Sequence, residues 1–230
     1  MIHCYFTFAP NPMKVLLMLE ETGLPYTPVP IDTRRGEQFA PEFLAINPNA
    51  KVPAIVDEGK AVFDSNAILL YLAEKTGQFL PDDTHRHELL SWLMFIASGI
   101  GPFSGQAVHF RHHMKEENVY ALNRYDFEAN RHWNLIEERL SRQTWLVGNQ
   151  YSIVDMACWG WARLMPHVLG GDEKALWERF PNIQRLISTI NSRPAVARID
   201  ALKRQHSFKA ENDAEARKHM FPQLARLQLT

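Results

Sequence analysis

Cysteine is scarce in this sequence of 230 residues, which contains only Cys4 and Cys158. Two cysteines are too few for a disulfide framework and form no C-x-x-C motif, so the sequence excludes a disulfide-stapled domain and a dithiol redox centre of its own. Both cysteines lie among apolar residues, and we expect them to be buried, inert thiols.

Long apolar runs are also lacking. Stretches such as residues 67–73 fall well short of the ~20 residues that span a bilayer. The first five residues have neither the basic start nor the apolar run of a secretion signal. We therefore expect a cytoplasmic protein with no membrane partner.

An excess of charge of one sign is absent as well. The 25 Lys and Arg residues nearly balance the 26 Asp and Glu residues. No overall field attracts nucleic acid, so we expect no nucleic-acid partner. Hydrophobic residues make up 46% of the chain and charged residues 22%, which is typical of a globular protein of one large or two small domains.

The first eighty residues predict a small mixed domain. Residues 2–6 alternate apolar and polar side chains, as a strand with one buried face does. Asn11 precedes a proline, which predicts the N-cap of a helix that ends at Gly23. An extended segment over residues 26–31 and a short helix within residues 37–46 follow.

Residues 52–63 predict a hairpin with its turn at residues 57–60. Ser65 then predicts the N-cap of a helix that ends at Gly77. The resulting order is βαβ, a linking helix and ββα. A parallel pair with its crossover helix, extended by an antiparallel hairpin, is the layout of a thioredoxin-like domain.

Helical periodicity takes over in the second half. We predict an N-terminal domain at residues 1–81, a linker at 82–86, an all-helical domain at 87–205 and a polar, loosely packed tail at 206–230. Within the helical domain, residues 123–140 form a long amphipathic pattern, residues 152–155 read as a capping box and residues 181–192 predict a further helix. The predicted fold class is thus α/β plus all-α.

Three motifs occur in the order and at the approximate spacing found in the cytosolic glutathione transferase superfamily. Residues 47–54 resemble the N-P-x-x-x-V-P segment of that family, residues 64–68 resemble its acidic-Ser-x-A-I motif, and residues 152–155 resemble its S/T-x-x-D box. The resemblance covers about residues 1–200. It implies a thioredoxin-like domain followed by a helical-bundle domain, glutathione as the co-substrate, and no metal.

A finer resemblance is to the bacterial nu-class branch and its fungal relatives. It is carried by Tyr5-Phe6, Pro10-Asn11, residues 36–39 with 41–44, and residues 101–110. Members of this branch typically bind glutathione or its disulfide and reduce small disulfides without an active-site cysteine. The resemblance therefore implies a homodimer that acts on a small-molecule disulfide; conjugation to an electrophile is the neighbouring possibility.

One departure keeps a second function open. Many nu-class sequences have a threonine two residues before the asparagine, and Ala9 stands at that position here. Thr7 is a different position and is not assumed to replace the missing hydroxyl. The alternative function is that of a glutathione-binding regulator or carrier with little turnover.

The resemblance also assigns the glutathione site. A cysteine thiol titrates near pH ~8.5, so an enzyme that uses it needs a hydrogen-bond donor for the thiolate, and the resemblance gives this catalytic role to Asn11. The main chain of Val52, before a cis Pro53, would hold the cysteinyl part. Asp64 and Ser65 would hold the γ-glutamyl end.

Each of these residues also has a purely structural interpretation. Asn11 and Ser65 can be helix caps that take no part in ligand binding, and a proline is acceptable at the start of a strand whether or not a ligand binds there. The resemblance places Gln38 and Lys51 at the glycyl end, where they can equally be an exposed amide and an exposed lysine.

Four residues of the helical half complete the expected site. The resemblance has Arg131 reach across the dimer to the glutathione of the partner subunit, and has Gln106, His109 and Phe110 border the second-substrate pocket. Interhelical packing remains open for the last three. His109, His112 and His113 share helical spacing, but a metal would need a further ligand, so we expect ordinary surface histidines.

Overall fold

The computed structural model describes residues 1–114 and 116–223. Its N-terminal domain is built on a four-stranded sheet with the strand order β2-β1-β3-β4. β1 pairs parallel to β2 and antiparallel to β3, and β3 pairs antiparallel to β4. This confirms the predicted βαβ and ββ units, whose strands are β1 (Ile2–Phe6), β2 (Tyr26–Pro30), β3 (Ala54–Asp57) and β4 (Lys60–Phe63).

Three helices belong to the same domain: α1 (Pro10–Thr22), α2 (Pro41–Leu44) and α3 (Ser65–Thr76). A short 3-10 turn, Glu37–Phe39, precedes α2, so the single helix predicted here is two short turns. Gly23 and Gly77 end α1 and α3 in the left-handed conformation, with φ of 66° and 65°, as predicted.

Both N-cap predictions in this domain were wrong by one or two residues. α1 begins at Pro10 with Ala9 as its N-cap, because a proline has the φ angle that the first helical position requires. Asn11 is therefore inside the helix, with its side chain free for other partners. α3 is capped by Asp64, whose longer side chain reaches the free amides of the first turn, and Ser65 is its first helical residue.

Helices are the only regular secondary structure among the described residues of the second domain. Its capping box is as predicted: Asp155 Oδ2 accepts from Ser152 N at 2.9 Å, and Ser152 Oγ accepts from Val154 N at 3.3 Å. The helices are α4 (Arg86–Phe95), α5 (Gly101–Val108), α6 (Val119–Arg142), α7 (Ile153–Ala162), α8 (Met165–Leu169), α9 (Glu173–Arg179), α10 (Pro181–Asn191), α11 (Pro194–Gln205) and α12 (Ala214–Met220).

The two domains share one apolar core, because α1 packs against α7 and α11. Gly160 of α7 permits this approach: a Cβ added there would lie 2.6 Å from Lys14 Cγ. Two ion pairs also join α1 to α11 and to the residue before it, Glu20–Arg198 and Glu21–Arg193. Packing and ion pairs therefore fix α1 against the helical domain.

The segment after residue 205 packs against the N-terminal domain, in contrast to the expected loose tail. The ring of Phe208 lies edge-on to Phe6 and Phe8, with centroids 6.0 and 5.4 Å away. Lys209 N donates to the buried Asp32 carboxylate at 2.7 Å. Phe208 thus anchors the start of this mostly polar stretch; residues 224–230 of the predicted tail lie outside the described residues.

None of the helices within residues 1–114 and 116–223 combines the length and the apolar character needed to cross a membrane.

Candidate glutathione site

A cavity of about 780 Å³ lies between the two domains. Its N-terminal wall comes from the start of α1, the loop before β3 and the start of α3. Its C-terminal wall comes from residues between the ends of α4 and α5, and the segment after α12 closes one side. Among its lining residues are Asn11, Lys14, Lys51, Val52, Pro53, Asp64, Ser65, Asn66, Gly101, Gly105, Gln106, His109, Met220, Phe221 and Gln223.

The loop before β3 presents main-chain groups to this cavity. The Val52–Pro53 peptide bond is cis, as the resemblance implied. Asn47, which is buried, holds the loop: its Nδ2 donates to Lys51 O at 2.6 Å, and its Oδ1 accepts from Asn49 N at 3.0 Å. Outside the strand ladder, none of the described residues hydrogen-bonds to the N–H or C=O of Val52. These groups are available to an extended peptide.

The start of α3 combines a carboxylate with a helix N-terminus. Asp64 has a φ of 70°, which is a strained conformation for a residue with a side chain. Its Oδ1 accepts from Asn66 N at 2.9 Å and from Ala67 N at 3.1 Å. One carboxylate oxygen is therefore used by the helix. The other carboxylate oxygen and the positive end of the helix dipole suit a ligand that carries charges of both signs.

Lys14 is a residue of the cavity that sequence reasoning missed. Only 2% of its surface is exposed, and its Nζ lies 3.4 Å from both Ser65 Oγ and Asn66 Oδ1. Burial lowers the pKa of Lys14 from 10.5 to about 8, although the nearby Asp64 carboxylate opposes the shift. A signal was present: Lys14 interrupts the apolar stripe of α1, one turn after Asn11, and so faces the same side.

Asn11 lies in the first turn of α1. Its Oδ1 accepts a hydrogen bond from Trp161 Nε1 of α7 at 2.9 Å. Prolines occupy the positions on both sides of Asn11, so it supplies the sole main-chain N–H of the first three helical residues. Thr7 does not replace the hydroxyl missing at Ala9: Thr7 Oγ1 accepts from Ala9 N at 3.1 Å and lines a separate cavity of about 340 Å³.

The structure brings most of the expected site residues to one cavity, but leaves three outside its lining. Gln38 is buried beneath α12, where its Nε2 donates to the carbonyl of His219 at 3.3 Å. Phe110 stacks on Tyr125, with ring planes 13° apart. Arg131 is half-exposed on α6 and donates from Nε to Glu128 Oε2 at 2.9 Å.

The two cysteines of the protein do not supply a nucleophile to the cavity. Cys4 and Cys158 are buried, as expected, and burial raises the pKa of both thiols, so neither is a thiolate near neutral pH. Burial also disfavours the charged form of His109, and so lowers the pKa of this residue, which lines the cavity beside Phe221. Within the described ranges, no group of three or more metal-ligating side chains is arranged around a common point.

The cavity is therefore rich in donors and positive charge, with one carboxylate. The Asn11 amide, the Lys14 ammonium and the start of α3 favour anionic groups, whereas Asp64 favours a cation. The Val52 main chain lies on the same wall. A short peptide with a zwitterionic end and a further anion matches this set.

Comparison with known proteins gives the same picture. Residues 3–74 match the family model described as glutathione S-transferase, N-terminal domain, and residues 105–194 match its C-terminal domain. The disulfide-bond oxidoreductase YfcG of Escherichia coli (strain K12) is 41% identical over 203 residues, which cover 85% of this chain and 92% of that protein.

Two crystal structures of bacterial glutathione transferases are similar throughout. The Burkholderia graminis protein, with two glutathione molecules bound per subunit, is 41% identical with a TM-score of 0.81, over 88% of this chain and 89% of that one. The Pseudomonas putida protein, with one glutathione disulfide bound per subunit, is 34% identical with a TM-score of 0.79, over 86% and 89%. By both of its domains, this chain belongs to the glutathione S-transferase family.

Proposed function

We propose that this protein binds glutathione in the interdomain cavity and uses its thiol to reduce small disulfides, as a member of the nu-class branch. One observation carries the proposal: the Val52 main chain, the start of α3 and the Asn11 amide line the same cavity, and among the described residues nothing outside the strand ladder hydrogen-bonds to the Val52 main chain. The sequence relation to a disulfide-bond oxidoreductase and the glutathione disulfide in a similar structure support it.

The site accounts for each part of the tripeptide. The Asp64 carboxylate would pair with the γ-glutamyl ammonium, while the Ser65 hydroxyl and the first amides of α3 would bind its carboxylate. The Val52 main chain would pair with the cysteinyl residue. Lys51 would reach the glycyl carboxylate; Gln38, which the resemblance also assigns there, would need α12 to move before it touches ligand.

Thiolate formation is the first chemical requirement. Asn11 would donate a hydrogen bond to the sulfur, and the positive end of α1 would favour the anion. Lys14 adds charge, since a pKa of about 8 leaves it mainly protonated at pH 7. Because both protein thiols are buried, the reacting thiol has to belong to glutathione.

The reaction then balances with two glutathione molecules. The thiolate of the first attacks one sulfur of the substrate disulfide, which forms a mixed disulfide and releases one substrate thiolate. The thiolate of the second attacks the glutathione sulfur of the mixed disulfide, which forms glutathione disulfide and releases the other substrate thiolate, and the released thiolates take up the two protons. Gln106 and His109 line the side on which the substrate would enter, and Phe110 would border it from behind.

Turnover distinguishes this proposal from its alternatives. Purified protein is assayed with hydroxyethyl disulfide and with chlorodinitrobenzene side by side, each with reduced glutathione. Faster disulfide reduction than in solution supports the proposal, and faster conjugation alone assigns a transferase that acts on electrophiles. Glutathione binding without turnover assigns the regulator or carrier, which the missing hydroxyl at Ala9 favours.

We also propose a homodimer in which Arg131 contacts the glutathione of the partner subunit. On α6, Phe127 lies four residues before Arg131 and Leu135 lies four residues after it, so the three residues share one face of the helix. These two apolar side chains are 62% and 38% exposed. Sedimentation should give a dimer, and Arg131→Ala should weaken glutathione binding; a monomer with unaltered binding would refute this part. The free cysteines favour the cytoplasm.

A further inference from the structure

The Asn11 amide has two chemically opposite ends, and the proposed reaction tolerates only one of them next to the sulfur. The Nδ2 end donates hydrogen bonds and would stabilise a thiolate, whereas the Oδ1 end carries lone pairs that would repel it. An asparagine that turns freely would present both ends. In the structure, a hydrogen bond fixes the orientation of the Asn11 amide.

The donor of this hydrogen bond is the indole of Trp161. An indole N–H is a donor and never an acceptor, so the atom of Asn11 that faces it at 2.9 Å must be Oδ1. The Nδ2 end therefore points elsewhere, and no residue in the described ranges accepts a hydrogen bond from it. Asn11 itself lines the cavity, but Trp161 is not among the lining residues. The indole thus acts on Asn11 from behind the cavity wall.

The surroundings of Trp161 hold its ring in place. Gly101 and Gly105 are one helical turn apart on α5, and Cβ atoms added there would lie 3.3 Å from Trp161 Nε1 and 3.5 Å from Trp161 Cη2. The ring is half-buried and packs against the apolar core. The two glycines leave room for the indole beside the backbone of α5, so its N–H has a fixed direction toward α1.

We infer that Trp161 is a positioning residue, which orients the Asn11 amide so that its N–H groups face the glutathione sulfur. The inference rests on the proposed function, in which Asn11 binds the thiolate. In this arrangement both domains contribute to the sulfur site: the donor to sulfur lies on the thioredoxin-like domain, and the group that orients the donor lies on the helical domain.

The chain offers a matched control two residues away. Trp159, on the same helix, donates from its indole to Asn191 Oδ1 at 2.9 Å, and it does not line the cavity. Trp161→Phe and Trp159→Phe therefore each remove one indole–asparagine hydrogen bond and retain an aromatic ring. Only Trp161→Phe affects the Asn11 amide.

The first experiment measures the pKa of the bound glutathione thiol from its ultraviolet absorbance, together with kcat and KM for disulfide reduction. Trp161→Phe should raise that pKa by about one unit and lower kcat about tenfold at neutral pH, because one pKa unit corresponds to about a tenfold change in the thiolate fraction. KM for glutathione should change less than twofold. Trp159→Phe should leave all three values unchanged, and Trp161→Phe should add nothing once Asn11→Ala is present.

A second measurement does not depend on the folding of Trp161→Phe or on any ligand. The indole proton resonance of Trp161 is assigned in free protein through its contacts with Gly101 and Gly105. Asn11→Ala should shift this resonance and leave that of Trp159 in place. An unshifted resonance overturns the inference, and so does an unchanged thiol pKa in Trp161→Phe. If wild-type protein fails to bind glutathione while the resonance still shifts, the proposed function has failed and the Trp161–Asn11 contact has not.

Discussion

Lys14→Met tests whether a buried positive charge in the cavity is kept at the expense of stability. The substitution removes the ammonium group and leaves a flexible apolar side chain of similar volume. In the wild-type protein the Lys14 side chain is almost completely buried, and its two hydrogen bonds are long, at 3.4 Å each. The variant therefore loses little bonding and avoids the desolvation of a charge.

The expected gain follows from the pKa of Lys14, which falls from 10.5 in the unfolded chain to about 8 in the folded protein. A shift of this size corresponds to about 3 kcal/mol against the charged form. The two lost contacts to Ser65 and Asn66 offset part of it, at about 1 kcal/mol. Lys14→Met should accordingly be more stable than wild type by about 2 kcal/mol at pH 7.

The pH dependence has a definite sign. Below pH 8 the lysine is protonated in both states, so the full penalty is present. Between pH 8 and 10.5 the folded protein loses the proton while the unfolded chain keeps it, so the wild-type protein gains stability relative to the variant. The difference between the two proteins should therefore shrink as the pH rises through this window.

Urea unfolding at pH 7.0 and pH 9.5 measures both effects. Leu17→Met, at another buried position of α1, is the control for a methionine in this helix, and its effect should be the same at both pH values. The reasoning is refuted if Lys14→Met is less stable than wild type at pH 7.0, or if its difference from wild type is identical at the two pH values. Weaker glutathione binding by Lys14→Met would show what the buried charge contributes.

Three further predictions concern other parts of the fold. Asp64→Asn keeps an oxygen for the α3 amides but removes the charge, so the free energy of unfolding should change by less than about 1 kcal/mol. Glutathione binding, measured by calorimetry, should weaken about tenfold, and an unchanged affinity would contradict the assigned role. Asp155→Ala removes a buried acceptor of several hydrogen bonds and should lower the free energy of unfolding by about 3 kcal/mol, against about 1 kcal/mol for Asp172→Ala, the exposed cap of α9. Gly160→Ala would place a Cβ 2.6 Å from both Lys14 Cγ and the main-chain oxygen of Pro10, and it should lower the free energy of unfolding by about 2 kcal/mol; an unaltered midpoint of thermal unfolding would contradict this close packing of α7 on α1.

The elements that sequence reasoning predicted well are those whose signals are local. The hairpin turn, the left-handed ends at Gly23 and Gly77, and the capping box at Ser152 each depend on a few consecutive residues. The backbone conformation of these residues follows from their own sterics and hydrogen bonds. Local signals failed by one or two residues at helix starts, where Ala9 rather than Asn11 and Asp64 rather than Ser65 are the N-caps.

The candidate site shows the other side of this division. The motifs around Val52 and Asp64 identified two of its walls, because their main-chain geometry is also local. Lys14 was missed although it interrupts an apolar stripe, because its burial arises only where α3 and α7 pack against α1. The packing of Phe208 on the N-terminal domain was equally hidden in a polar stretch of sequence.

The sequence by itself determined the order of strands and helices along the chain and the glycine ends of α1 and α3, since each depends on residues that are near neighbours, and its motifs identified the family. Only the tertiary structure decided which way the Asn11 amide points and how deeply Lys14 is buried. Those two properties come from Trp161 and Gly160, about 150 residues further along the chain. Packing of the two domains brings them together, and no local pattern encodes that contact.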